Sequence, residues 1–198
     1  GGASTRTARA DGWRWSPCEA AAREPSMDLA RMLPFSPAAI AKSDRNVIRD
    51  MWDRLCDLPA GKAFFSRAVG LAAPYTGTIN ARVIQLRDRY AEVEMKDRPG
   101  LRNHLSSVHA VALVNLAELT GNLALSSRLH DDARFIVSAI RIDYHKKSRG
   151  TITATSECPP ITSSERREYE VPVEMRNPEG ELCATAVLTS LVGPKRSS

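Results

Sequence analysis

The segment from Arg102 to Leu125, RNHLSSVHAVALVNLAELTGNLAL, constrains this chain more than any other, because it reads as a helix apolar on nearly every side. Val108, Ala112, Leu116, Leu119 and Leu123 recur at the helical period and form its main stripe. Such a helix has to be covered. What surrounds it is alternating sequence: RFIVSAIRIDY, TITATSEC, YEVPVEMR and LCATAVLTSLV all read as strands, with Asn177-Pro178-Glu179-Gly180 as the turn between the last two. Ahead of it, TINARVIQL and YAEVEMK form a hairpin across Arg87-Asp88-Arg89. The expectation is an α+β fold: an antiparallel sheet of about six strands, with one face to bury, wrapped around one long central helix from about Ser106 to Leu125. Short N-terminal helices precede it, signalled by Ser36-Pro37 and by Val47, Met51, Trp52, Leu55 and Leu58 at spacings of three and four.

A chain of 198 residues that is 42% hydrophobic is long enough for one domain with a substantial core. Residues 27–198 are read as that domain. Residues 1–26 lack a periodic apolar face and mix four arginines with Asp11, Glu19 and Glu24, so they are read as a flexible N-terminal extension. Cys18, Cys56, Cys158 and Cys183 lie too far apart for a zinc ribbon or a dense disulfide framework, and the four histidines lack ligand spacing, so no metal site is expected. No run approaches the roughly 20 apolar residues of a membrane span. A soluble protein of a reducing compartment follows, cytoplasmic, or of the mitochondrial matrix if residues 1–26 derive from a transit segment.

The net charge of +5 suits an anionic partner. Basic residues are mostly interleaved with acidic ones; only Lys146-Lys147-Ser148-Arg149 is compact. A nucleic-acid partner is not expected, since no basic recognition helix is evident and aromatic residues, at 6%, are too few for a stacking surface.

The central helix carries polarity that its apolar surroundings do not need. Asn115, Glu118 and Asn122 lie on a stripe beside the apolar one, and buried polar groups without partners cost roughly 1–3 kcal/mol each. Two readings stand. Glu118 faces a solvent gap or a subunit interface, or it is a carboxylate placed to act as general base or nucleophile.

Asn103, His109 six residues later and Glu118 nine residues after that resemble the asparagine, His-Gly-Gly and carboxylate signature of hotdog-fold acyl-CoA thioesterases of the phenylacetic-acid-pathway type. NHLSSVHAVALVNLAEL as a block is similar to a less characterised branch of that superfamily, and the resemblance extends from about Trp52 to Val192, including PYTGTI and IDYHKKSRG. It implies hydrolysis of an acyl-CoA with no cofactor beyond the coenzyme A of the substrate. By that resemblance Asn103 helps to hold the thioester carbonyl or the attacking water, the amides near His109 and Ala110 polarise the thioester oxygen, and Glu118 activates water or attacks directly. The same resemblance implies that His104 and Asn115 line the substrate pocket; the cluster Tyr144-His145-Lys146-Lys147-Ser148-Arg149 is either an ordinary basic turn or, as the resemblance implies, a dock in which Lys146, Lys147 and Arg149 hold the coenzyme phosphates, which suits the fork of Arg and the point charge of Lys.

Counted from His109, nine residues place Glu118 about 13 Å along the axis and on the opposite side. One subunit cannot easily use both ends. The resemblance implies a homodimer, or a dimer of dimers, in which antiparallel helices bring one chain's carboxylate to the other's helix start. Ala110 and Val111 stand where the pattern has glycines, Glu118 stands for the more usual aspartate, and Ser138 is the candidate for a hydroxyl on the next strand. His109 also reads as a structural helix-start residue. The competing functions are a hotdog domain that binds acyl-CoA or acyl chains without turnover, which Ala110-Val111 favours, and a dehydratase pairing His109 with Glu118.

Overall fold

The computed structural model describes residues 46–195. The extension at 1–26, Cys18 and the Ser36-Pro37 helix start lie outside the described residues. Among those described, the order is α1 (Val47–Leu55), α2 (Gly61–Ala72), α3 (Pro74–Gly77), β1 (Arg82–Arg87), β2 (Tyr90–Met95), a single 3-10 turn (Pro99–Leu101), α4 (Ala110–Arg128), β3 (Ala133–Tyr144), β4 (Ile152–Glu157), β5 (Arg167–Arg176) and β6 (Leu182–Pro194). The six strands form one sheet in the order β1-β2-β4-β5-β6-β3, with every neighbouring pair antiparallel. The sheet packs on α4, and this is the hotdog architecture that the resemblance implies.

Helix α4 is buried because both its apolar stripe and the residues beside it meet the sheet. Leu116, Ala117, Ala124 and Leu125 are fully enclosed. Each large aliphatic side chain so buried stabilises by about 1.5–3 kcal/mol relative to exposure. Gly121 marks the closest approach: a Cβ there would stand 2.8 Å from Leu188 Cδ2 and 3.4 Å from Val173 Cγ2. The chain therefore has no side chain where the helix crosses β5 and β6.

The helix begins four residues later than its periodicity predicts, and ends three later. Ser106 has φ +53°, which breaks any helix through it. Val108 stays on the apolar side but belongs to the loop, where it bridges to Arg102. At the far end Ser126 and Ser127 remain buried, so the helical face continues past Leu125. Asn46 closes that end: its Nδ2 donates to the carbonyls of Ser126 and Leu129, while its Oδ1 accepts from Arg49 N–H and caps α1. One side chain thus ties two helix termini together.

Helices α1 and α2 join through Trp52 and Phe65, both buried, with ring centroids 5.1 Å apart in an edge-to-face arrangement. The β1–β2 hairpin turns on Asp88-Arg89 alone, since Arg87 already pairs with Tyr90. Arg89 adopts φ +58° there. Its N–H donates to Ser127 Oγ and its carbonyl accepts from Cys158 N–H, which fixes a conformation a non-glycine residue seldom takes. Pro172 is tolerated inside β5 because the β4 ladder stops at Val173, and the Pro172 carbonyl accepts from Ser156 Oγ instead.

Strand β3 pairs with β6 on one side only. It is twelve residues long, carries a bulge between Val137 and Ala139, and leaves Ile136 66% exposed. A long, apolar, open edge of this kind is a surface that pairs. The three described cysteines are free, and burial pushes the Cys158 thiol up to about 11, so it packs as an apolar group. Among the described residues no helix is long and apolar enough to cross a membrane.

Candidate active site at the start of the central helix

The site is built by the loop that delivers the chain to α4. Asn103 organises it: Oδ1 accepts from Leu105 N–H at 2.9 Å, Ser107 N–H at 3.3 Å and Ser107 Oγ at 3.2 Å. The backbone closes the same loop, with Asn103 N–H donating to the Ser107 carbonyl and Ser106 N–H to the Asn103 carbonyl. This is the competition an Asn side chain offers a helix, and it explains the late start of α4. The carbonyl oxygen that was expected near the substrate is engaged in shaping the loop; the Nδ2 donor carries no such bond among the described residues. His104 is exposed beside it.

His109 is the N-cap of α4. Its Nδ1 accepts from Val111 N–H at 3.2 Å, the service Ser, Thr, Asp or Asn usually performs, and this requires Nδ1 to be the unprotonated nitrogen. Its own N–H donates to the Leu101 carbonyl at 2.7 Å. The amides of Ala112 and Leu113 turn back to the His109 carbonyl. Ala110 N–H is therefore the one amide of the first turn without an acceptor among the described residues. The expected pair of polarising amides narrows to Ala110, at the positive end of the helix dipole. Its carbonyl is held from the other side, accepting from the Tyr144 hydroxyl at 3.1 Å.

Glu118 is half-buried and has no hydrogen bond or ion pair among the described residues. Because His109 lies outside the helix, the geometry is counted from Ala110. Eight residues bring Glu118 about 12 Å along the axis and roughly 80° around it, not to the opposite side. Asn115 and Asn122 flank it on the same stripe. Asn115 Nδ2 donates to the Tyr75 carbonyl at 3.1 Å, which fixes the amide orientation and leaves a buried Oδ1 with no donor. Asn122 Oδ1 is likewise buried and unsatisfied. Two buried amide oxygens without donors, one on either side of a half-buried carboxylate, are a costly arrangement for a helix that serves packing alone.

The remaining predicted residues divide. Lys146 is paired with Glu181, which also accepts from Asn177 Nδ2, so its charge is largely answered within the turn. That pairing raises the Lys146 pKa and lowers that of Glu181. Lys147 and Arg149 are exposed. Ser138 sits at the β3 bulge and donates to the Thr189 carbonyl, on the sheet edge and away from the start of α4. Among the described residues no group of three or more His, Cys, Asp or Glu side chains is placed to hold a metal ion.

Two features were not anticipated. Tyr144 stands in the sequence beside the basic residues, and its position at the end of the strand after the helix brings its hydroxyl to the Ala110 carbonyl at the helix start. Asp97 accepts from Arg102 Nε at 2.8 Å and Nη2 at 3.3 Å, and from Gly150 N–H at 3.1 Å, cross-bracing the loop that carries Asn103. Opposite charges five residues apart around Pro99-Gly100 were the available signal.

A groove of about 960 Å³ lies elsewhere, at the C-terminal end of α4 between Leu129, Phe135, Ile136 and Val192. Within the chain the length of α4, about 27 Å from Ala110 to Arg128, separates it from the open amide.

Comparison with known proteins bears on the fold and the family. A structural-genomics protein designated APC5556 superposes with a TM-score of 0.64 at 26% identity, covering 75% of this chain and 97% of its own. The thioesterase HI1161 of Haemophilus influenzae gives 0.56 at 18%, covering 62% and 85%. PaaI of E. coli, from the phenylacetic acid degradation operon, gives 0.53 at 19%, covering 67% and 99%. At such identities the last two establish the fold alone. No curated protein matches the chain significantly. A family model described as a domain of unknown function, DUF4442, matches residues 61–192, which take in β1 to β5, β6 as far as Val192, α4 and the loop that shapes its start. The chain is therefore a member of the DUF4442 family, built on the hotdog fold.

Proposed function

We propose that this protein is an acyl-CoA thioesterase that works as a homodimer. The observation that carries the reading is that α4 bears both an open N-terminal amide, Ala110 N–H, and, about 12 Å further along its axis, a half-buried carboxylate, Glu118, that no side chain neutralises among the described residues, so that each is placed to serve a site shared with a second copy. Thioesterases among the proteins of similar fold support it. In the reaction Glu118 takes a proton from water as the water oxygen bonds to the thioester carbonyl carbon. The carbonyl oxygen becomes an oxyanion facing the Ala110 N–H of the other copy, the C–S bond then breaks, and the thiolate leaves and is protonated. Direct attack by Glu118 would instead form a mixed anhydride that water opens. One preorganised oxyanion donor is commonly worth about 10²–10³ in rate, and a general base about 10²–10⁴.

The dimer follows from the β3 edge. Pairing of β3 with a second copy about a two-fold axis makes an antiparallel ladder, so the Ala133 end of one strand meets the Tyr144 end of the other. Tyr144 holds the Ala110 carbonyl, and the large apolar groove begins at Ala133. The second copy's helix start thereby comes to the groove of the first, which then receives the acyl chain.

A non-catalytic acyl-CoA binder is the second reading, favoured by Val111, which is 50% exposed at the helix start where the thioester has to approach closely. Thiol release from short, medium, long and aryl acyl-CoAs by the wild type and by Glu118→Gln separates the two. Turnover by wild type with a loss of at least about 10²-fold in the variant, at unchanged binding, is expected. Binding without turnover by both proteins would replace the enzyme with the binding module.

A further inference from the structure

Helix α2 buries one face and leaves the other apolar as well. Phe65, Ala68 and Val69 enter the core, while Phe64 and Leu71 lie on the outer side with Arg67 between them, at spacings of three and four. Phe64 is 57% exposed, and Tyr75 on the following α3 is 67% exposed. Single exposed apolar residues are ordinary, but several gathered on one helical face mark a surface that meets something. The face is also fixed in place. Gly70 and Gly77 pack so closely that a Cβ on Gly77 would stand 2.6 Å from the Gly70 carbonyl oxygen, which locks α3 against α2. Ser66 Oγ accepts from Val83 N–H and Lys62 Nζ donates to the Ile84 carbonyl, so α2 covers the outer edge of β1.

The charge around this face has one sign. From Leu58 to Arg87 the chain holds no Asp or Glu, but it holds Lys62, Arg67, Arg82 and Arg87. Two of these cations are occupied: Lys62 by the Ile84 carbonyl and Arg87 by the Tyr90 ring, 4.4 Å from its centroid. Arg67 and Arg82 are exposed and have no acceptor among the described residues. Val83, the neighbour of Arg82, is bonded to Ser66, the neighbour of Arg67, which brings the two free cations to one region. An apolar stripe set among unanswered cations complements a surface that is apolar inside and negative outside.

We propose that the outer face of α2 and α3 docks on an anionic lipid bilayer, with Phe64, Leu71 and Tyr75 entering the headgroup layer and Arg67 and Arg82 meeting its negative charge. Tyr suits that layer because its ring is apolar and its hydroxyl is not, and Arg can lay its stem along apolar neighbours while its guanidinium stays in water. The stripe lines neither the groove at the end of α4 nor the hollow beside Asp97. A helix face that protrudes suits a surface that yields to it, as a bilayer interface does, more than a ligand that has to be surrounded. Strand β1 stands at the opposite edge of the sheet from β3, five strand spacings or about 24 Å away, so the face stays open when two β3 edges pair. The proposal goes beyond the thioesterase reading and does not rest on it.

The test is flotation of the full chain with vesicles of phosphatidylcholine alone and of phosphatidylcholine with about 30 mol% phosphatidylserine. Wild type is expected to bind the anionic vesicles at least about tenfold more tightly than the neutral ones, and to be released by high salt. Phe64→Ser/Leu71→Ser and Arg67→Glu/Arg82→Glu should each weaken anionic binding at least about tenfold. Lys147→Glu/Arg149→Glu, which changes net charge equally at the basic turn, should bind as wild type does. Thermal unfolding confirms that each protein is folded. Equal loss in all three double variants, or loss in the basic-turn variant alone, overturns the proposal, as does failure of wild type to bind either vesicle. In that last case a smaller sedimenting species for Phe64→Ser/Leu71→Ser would assign the face to a second copy of this chain, and a lower unfolding temperature without such a change would assign it to another segment of the same chain.

Discussion

The Tyr144 hydroxyl donates to the Ala110 carbonyl at 3.1 Å, joining the end of the longest edge strand to the first residue of the central helix. The bond holds the peptide next to the open amide, so the direction of Ala110 N–H depends on a ring 34 residues further along the chain. Tyr144→Phe keeps the ring and removes only the donor. We expect a stability loss of about 0.5–1.5 kcal/mol with an unchanged denaturant slope, and a lower kcat at similar KM. Urea unfolding and steady-state kinetics on the same preparations check both.

Ile136 is 66% exposed on the open side of the sheet. Replacing it by Lys puts a charge where two β3 edges would meet, the device natural edge strands use to stay single. The Ile136→Lys protein should sediment as a folded monomer and lose thioester hydrolysis. A dimer by sedimentation velocity that retains full activity would show that the edge is not the interface.

Asp97 is held below the usual carboxylate range, first by its hydrogen bonds from Arg102, against a burial effect that acts the other way. Its folded pKa is depressed, so the linked stability is present above the ordinary value of about 3.9 and is lost as pH falls through the lower, folded value. Asp97→Asn removes that dependence. Below about pH 4 the fall of wild-type stability with pH should be steeper than that of the variant, while near neutrality the variant is less stable by about 1–3 kcal/mol, the cost of losing a charged partner. Chemical denaturation at a series of pH values reads both effects.

Gly121 faces Leu188, which is fully buried and has nowhere to move. Gly121→Ala gains up to about 1 kcal/mol of helix propensity but forces a methyl to within 2.8 Å of Leu188 Cδ2, and overpacking of this kind costs about 1–3 kcal/mol. We expect a net loss of about 1 kcal/mol. The double change Gly121→Ala/Leu188→Val should recover part of it, giving a coupling that a double-mutant cycle measures.

Much of this architecture was legible because it is periodic. The alternation in Tyr90–Met95 and in Arg167–Arg176 reappears as strict in-and-out burial. The Leu116, Leu119 and Leu123 stripe lies against the sheet as its spacing requires. The start of α4 was not legible. Ser106, Ser107 and Val108 fit a helical pattern, and only the Asn103 side chain, taking the loop's donors, turns them out of it. The role of His109 changed for the same reason: as a cap in extended conformation it stands outside the helix, which alters the angular relation to Glu118. The Lys146–Glu181 pair spans 35 residues and joins two turns that meet only after β6 has folded back along β3. A local reading could therefore count Lys146 among the available charges.

The amino-acid sequence by itself determined the element types, an antiparallel sheet around one buried helix, and the identity of the polar residues that helix carries, because hydrophobic period and turn chemistry act over a few neighbouring residues. The tertiary structure decided which amide stays open, which carboxylate is left without a partner, and which cations remain unanswered. Those depend on hydrogen bonds and ion pairs between groups that are remote in the chain, such as Tyr144 with Ala110, Asp97 with Gly150, and Asn115 with the Tyr75 carbonyl. A donor or a charge is free only when packing has brought it no partner, and packing is a property of the whole fold.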